Sequence, residues 1–181
     1  GQKAFSGAIG NKAGQTGQRD QAVAIGSGAG QTGQELNSIA IGTQAGFNGQ
    51  KGSGVAIGLS AGETNQGQGA VAIGHYAGLT GQNAYSVAIG LSAGQGGQKV
   101  KAVAIGNAAG EKGQGTLAVA IGDRAGALKQ GESSVAIGSL AGENGQNANS
   151  VAMGEGAGQN GQESNCVAIG NQTGQNGQRP H

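Results

Sequence analysis

Small hydrophobic residues recur along this chain with an unbroken period of sixteen residues. The blocks begin at residues 6, 22, 38, 54, 70, 86, 102, 118, 134, 150 and 166, and no insertion or deletion shifts the count. A fixed period of this length is typical of a stacked array in which each repeat contacts its neighbours. The pattern therefore predicts a single repeat array over residues 1–181. Because neither end carries a polar capping repeat, we interpret the chain as a segment of a longer array.

Each block opens with a short alternation of apolar residues. The second position is Val or Ile in every block but the first, the third is always Ala, and the fourth is Ile except at Met153. Alternating β-branched residues are typical of a strand, and the regular glycines, such as Gly90 and Gly94, would each cost a helix about 1 kcal/mol. The sequence predicts an all-β protein, a parallel β-roll or β-solenoid of eleven 16-residue coils. In each coil, the Gly-x-x-Ala-Gly segment turns the chain and a second short strand precedes the closing turn.

The two faces of the first strand carry different side chains. In the block that begins at residue 86, Val87 and Ile89 share one face and Ala88 lies on the other. We expect the Val and Ile columns to fill the interior of the coil and the alanine column to pack on another chain. The competing interpretation places alanine inside the coil and turns Val and Ile toward the partner chain. Both interpretations predict a homo-oligomer, because one face would otherwise be exposed to water.

A glutamine occupies the thirteenth position of every block. Parallel stacking aligns these residues, and carboxamides in register can each donate a hydrogen bond to one neighbour and accept one from the other. The sequence therefore predicts a structural ladder that runs through the array. Its members are Gln18, Gln34, Gln50, Gln66, Gln82, Gln98, Gln114, Gln130, Gln146, Gln162 and Gln178.

Composition and charge narrow the function without supplying a reactive site. The net charge is +1, so the chain lacks the basic character expected of a nucleic-acid-binding protein, and no apolar run is long enough to span a bilayer. His75 has no Cys or carboxylate at ligand spacing, Cys166 has no base near it in sequence, and the glycines form no phosphate-binding motif. We predict no enzyme activity, no cofactor, no metal site, no nucleic-acid partner and no membrane insertion by this segment.

The sequence SVAIG at Ser86–Gly90 and Ser134–Gly138, with SVAMG at Ser150–Gly154, resembles the head repeat of the YadA-type trimeric autotransporter adhesins. The unit AIGTQAG at Ala40–Gly46 is similar to repeats of viral and phage fibre proteins. The resemblance covers all eleven blocks, although the usual repeat of the adhesin family is shorter. It implies a left-handed parallel β-roll, three chains around the roll axis and a role in surface adhesion.

These observations favour a non-enzymatic structural or adhesive fibre segment, extracellular or on a cell or virion surface. Its expected partners are further copies of the chain and a host surface or matrix molecule. A self-assembling extracellular filament subunit is the alternative. An ice-binding solenoid is a third hypothesis, because four of the first five blocks have Thr at the eleventh position. The candidate contacts with a ligand are the large apolar residues in variable columns, namely Phe47, Tyr76, Tyr85, Leu91 and Leu140.

Overall fold

The structure, a computed structural model, is a stack of eleven three-residue strands, one in each sequence block. It describes residues 3–179, and Gly1, Gln2, Pro180 and His181 lie outside the described range. The strands are β1 (Gly7–Ile9), β2 (Val23–Ile25), β3 (Ile39–Ile41), β4 (Val55–Ile57), β5 (Val71–Ile73), β6 (Val87–Ile89), β7 (Val103–Ile105), β8 (Val119–Ile121), β9 (Val135–Ile137), β10 (Val151–Met153) and β11 (Val167–Ile169).

All eleven strands form one parallel sheet in chain order. Each residue pairs with the residue sixteen positions away, so that Val87 lies between Val71 and Val103. Neighbouring strands in a sheet lie about 4.8 Å apart, which makes the array roughly 50 Å long. The predicted all-β parallel solenoid with 16-residue coils is therefore confirmed, and residues 3–179 contain no helix.

The second strand of the coil is shorter than predicted. It is reduced to isolated bridges, which join the eleventh positions from Thr16 to Thr80 and the thirteenth positions from Gln98 to Gln178. Backbone turns interrupt the extended conformation, since φ is +55° at Gly94 and +103° at Gly97. One strand and a series of turns thus make up most of each coil.

The interior of the solenoid is built from alanine and not from valine and isoleucine. The third-position alanines from Ala24 to Ala168 are completely buried, whereas the Val and Ile residues beside them are half-buried or exposed. The expectation that Val and Ile fill the coil is wrong, and so is the expected alanine contact between chains. The physical reason is the width of the coil: a methyl group added at Gly46 would already lie 3.3 Å from the Ala40 methyl. The competing interpretation, which places alanine inside the coil and turns Val and Ile outward, agrees with the structure.

Glycine at the fifth position is required by the close approach of the next coil. Gly90 has a φ of +128°, and a Cβ atom there would lie 2.5 Å from the carbonyl oxygen of Gly106. At the ninth position, a Cβ on Gly94 would lie 2.7 Å from the side-chain carbon Cδ of Gln98. These glycines allow the turn to form and the coils to stack in register.

Two other positions of the coil have a left-handed backbone but mostly lack glycine. Within residues 3–179, the seventh and sixteenth positions of the blocks all have φ between +50° and +68°. The left-handed conformation costs a residue with a side chain about 1–2 kcal/mol. Most coils therefore carry conformational strain at two positions.

Substituting glycine at one of these positions should relieve the strain. Ala108 has a φ of +50°, and we expect Ala108→Gly to raise the free energy of unfolding by up to about 1 kcal/mol, after the greater entropy of unfolded glycine is subtracted. The matched control is Ala109→Gly, which removes a completely buried methyl group and should lower the stability. Thermal unfolding of the two variants compares them. A lower melting temperature for Ala108→Gly would contradict the strain at this position.

Candidate interaction surfaces

The predicted glutamines lie inside the solenoid and are joined by side-chain hydrogen bonds. The Nε2 group of each glutamine from Gln18 to Gln162 donates to Oε1 of the glutamine in the next coil, at distances of 2.5–3.4 Å. All are buried except Gln178, which is half-buried. Within residues 3–179, Gln18 Oε1 is the one buried side-chain polar atom without a partner. Gln2, sixteen residues earlier, lies outside the described residues.

The same glutamines bridge the two sides of each coil. Gln98 Nε2 also donates to the carbonyl oxygen of Val87 at 3.0 Å, and the other buried glutamines make the corresponding bond. The carboxamide thus connects the first strand of its own coil with the adjacent coil. The buried side chains of residues 3–179 are mainly alanine, serine and glutamine, with one cysteine and the carboxylate of Glu143. These groups can hold a scaffold together.

Charged side chains pair between coils and do not form a catalytic cluster. Lys51 Nζ lies 3.2 Å from Glu35 Oε1, and Arg124 pairs with the buried Glu143. Partial burial opposes ionisation of Glu35, but the hydrogen bonds from Lys51 and from the Gly52 amide (3.1 Å) outweigh it, and the pKa of Glu35 is lowered. This ion pair therefore stabilises the fold above the ordinary carboxyl pKa, and its contribution is lost as the pH falls through the lowered value.

Reactive groups are few among the described residues. The Cys166 thiol is buried, with Sγ 3.6 Å from the Gln178 carbonyl oxygen. His75 is exposed, and its ring centroid lies 4.0 Å from that of Tyr76. In residues 3–179, no three His, Cys, Asp or Glu side chains are grouped so that they could hold a metal ion. The same range has no helix of the length and hydrophobicity needed to cross a membrane.

A continuous apolar surface runs along the outer side of the strands. We call the second- and fourth-position side chains of β1–β11 the Val/Ile face. Its members are half-buried along most of the stack and more exposed near the ends, as at Ile169 (63% exposed). Monomeric proteins rarely expose a contiguous apolar patch of this length. Because β-branched side chains have few rotamers to lose, the face is well suited to bury itself against another surface.

A comparison with known protein families bears on the blocks that surround β8 and β9. Residues 114–141 match the YadA head domain repeat, in two copies. The matched stretch contains both strands and two ladder glutamines, Gln114 and Gln130, so the predicted resemblance is confirmed there. No curated protein and no solved structure matches the chain significantly.

The five residues predicted to contact a ligand do not form one site on the solenoid. Tyr76, Tyr85 and Leu91 are exposed, whereas Phe47 and Leu140 are half-buried. They occupy four different positions of the sixteen-residue block, so the solenoid distributes them over different sides. Tyr76 and Leu91 alone among them lie at the same corner of adjacent coils.

Two apolar clusters border the Val/Ile face, and sequence reasoning found only part of each. The turn flank lies where the strands end and comprises Leu59, His75, Tyr76 and Leu91. The closing flank lies where the strands begin and comprises Tyr85, Val100 and Leu117. Leu59, Val100 and Leu117 are exposed, but they were not among the predicted contacts. The missed signal was their grouping in consecutive blocks, at positions that are polar or small in most other blocks.

Proposed function

We propose that this protein is a non-enzymatic structural segment of a fibre on a cell or virion surface, with a role in adhesion. The observation that carries the proposal is the YadA head repeat match at residues 114–141 within a continuous parallel solenoid. Proteins with this repeat and fold are typically structural adhesins. The interior of alanine, serine and hydrogen-bonded glutamine agrees with a scaffold function, because it provides rigidity and no reactive centre.

We further propose that the chains associate through the Val/Ile face. Covering the remaining exposed area of one Val and one Ile would contribute about 1–2 kcal/mol per coil. Summed over the eleven strands, this gain would offset the entropy lost when chains associate, which is of the order of 4–15 kcal/mol. Three chains is the assembly that the resemblance to YadA head repeats favours. The sides of the coil away from this face would then remain available to a host surface or matrix molecule.

Immunolabelling of the producing cells or virions tests the surface location. Antibodies raised against the purified chain should label intact, unpermeabilised particles, and brief external proteolysis should remove the signal. An antibody against an internal protein of the same particles is the control, since it should label only after permeabilisation. If the chain also became accessible only after permeabilisation, the proposed function would be wrong.

A further inference from the structure

The turn flank and the closing flank lie at opposite ends of the strands but at nearly the same height in the stack. The turn flank occupies the coils of β4 to β6, and the closing flank occupies those of β5 to β7. Their side chains are well exposed: Leu91 is 50%, Tyr85 54% and Leu117 51% accessible. In the other blocks, the sixth position is Asn, Ser, Thr, Asp or Glu. Large apolar residues therefore occur in consecutive coils of each flank at one level only, whereas Leu36 and Leu140 lie singly at such positions in other coils.

We propose that the turn flank of one chain packs against the closing flank of a second copy at the same height. This inference rests on the proposed assembly through the Val/Ile face and specifies its geometry. When parallel chains are related by rotation about an axis along the stack, the end of a strand in one chain lies beside the start of a strand in the next. In an antiparallel pair, each flank would instead meet its own kind. The parallel arrangement brings the two different apolar clusters together, because they lie at nearly the same height on opposite ends of the strands.

One pair of charges outside these clusters agrees with the parallel arrangement. The first block carries Lys12 on the turn side and Asp20 on the closing side, so opposite charges would meet at that height between neighbouring chains. The block of β8 gives no such match, because Arg124 has Asp123 beside it on the turn side and already pairs with Glu143 of its own chain. In the block of β10, both sides are acidic, at Glu155 and Glu163. There, the Arg179 Nε atom lies 3.7 Å from Glu163 Oε1 and offsets one of the two charges.

The aromatic side chains of both flanks are already packed within the single chain. The Tyr85 ring covers Gly69 of the preceding coil, where an added Cβ would lie 2.9 Å from Tyr85 Cδ1. On the other flank, the rings of His75 and Tyr76 lie against each other. Side chains that are held in place lose less entropy when a partner binds, which favours the contact between chains. We therefore assign Tyr76, Tyr85 and Leu91 to this contact and not to a ligand site.

Cysteine cross-linking between differently substituted chains tests the contact between the turn flank and the closing flank. In a Cys166→Ser background, we would prepare full chains with Leu91→Cys or Val100→Cys, which lie on opposite flanks of the same block. Each variant alone should form at most a tenth as much disulfide-linked dimer as the two variants refolded together and oxidised. The control is Leu36→Cys mixed with Leu91→Cys. Leu36 occupies the same block position as Val100, but four coils away, about 19 Å along the stack, and should not cross-link.

The outcomes distinguish failure of the contact between the flanks from failure of the association through the Val/Ile face. Cross-linking of Leu91→Cys chains with one another would overturn the proposal, because it would indicate antiparallel packing. If the mixed Leu91→Cys and Val100→Cys chains formed oligomers without cross-links, the contact between the flanks would also be overturned. The association through the Val/Ile face would remain intact. Monomers in sedimentation would overturn the proposed assembly itself. A second pair in one block, Tyr76→Cys and Tyr85→Cys, carries the same expectation and serves if a variant of the first pair does not fold.

Discussion

Gly90→Ala should lower the free energy of unfolding by about 2–5 kcal/mol. Part of the loss is conformational, since Gly90 has a φ of +128°. The larger part is steric, because the new methyl group would lie 2.5 Å from the carbonyl oxygen of Gly106 in the next coil. That oxygen belongs to backbone and cannot move freely: the Gly106 amide donates to Ile89 O at 2.8 Å, and the coils are paired residue by residue.

The matched control for this variant is Gly145→Ala. Gly145 has a similar φ of +112°, but a Cβ added there would meet no atom within 4 Å. The control should therefore lose only the conformational part, about 1–2 kcal/mol. Chemical denaturation of both variants gives the two losses. If Gly145→Ala were destabilised as much as Gly90→Ala, close contact between coils would not be the reason for glycine at the fifth position.

Gln98→Leu should lower the free energy of unfolding by about 1–3 kcal/mol. Leucine has a similar volume, but it removes the acceptor of the 2.9 Å hydrogen bond from Gln82 Nε2 and leaves Oε1 of Gln114 without its donor. Both groups are buried, so water cannot replace the lost bonds without opening the coil. The expected readout is a lower melting temperature with the parallel β-structure retained.

Gln95→Leu is the control for the ladder variant. Gln95 lies three residues earlier at the tenth position and is partly exposed. Because a surface substitution of this kind usually changes stability by less than about 0.5 kcal/mol, the two leucine variants should differ clearly in melting temperature. Equal melting temperatures would show that the glutamine ladder contributes no stability beyond the volume of its side chains.

The periodicity of the sequence was sufficient to predict the coil length, the parallel pairing and the position of the strand. Alternation in the strand showed that Val87 and Ile89 share one face, but not which face is inside. Hydrophobicity favours the larger side chains for the core, and that preference led to the wrong orientation. The deciding factor was steric: the narrow coil accommodates the methyl group of Ala88 in one buried cluster with Ala93, and nothing larger than alanine is used at the third position.

The surfaces were harder to predict because they depend on neighbours sixteen residues apart. Tyr85 and Val100 are distant from Leu59 and Leu91 in a linear reading, and only the stacked coils show that they form two clusters beside one face. Residue type alone also could not predict the second strand. Asn48 and Asn144 occupy the same position of their blocks, yet only Asn48 takes part in a bridge.

The molar mass of the intact chain in solution tests the central claim, that the Val/Ile face joins copies of the chain. Sedimentation equilibrium should give a homo-oligomer, with three times the mass of one chain as the expected value. Replacing Ile73 and Ile89 with Glu should shift the protein to monomers, because two charges per chain would have to be buried in an apolar interface. Thr80→Glu, at an exposed position away from the face, should leave the assembly intact. A stable, folded monomer formed by the unsubstituted chain would contradict the account.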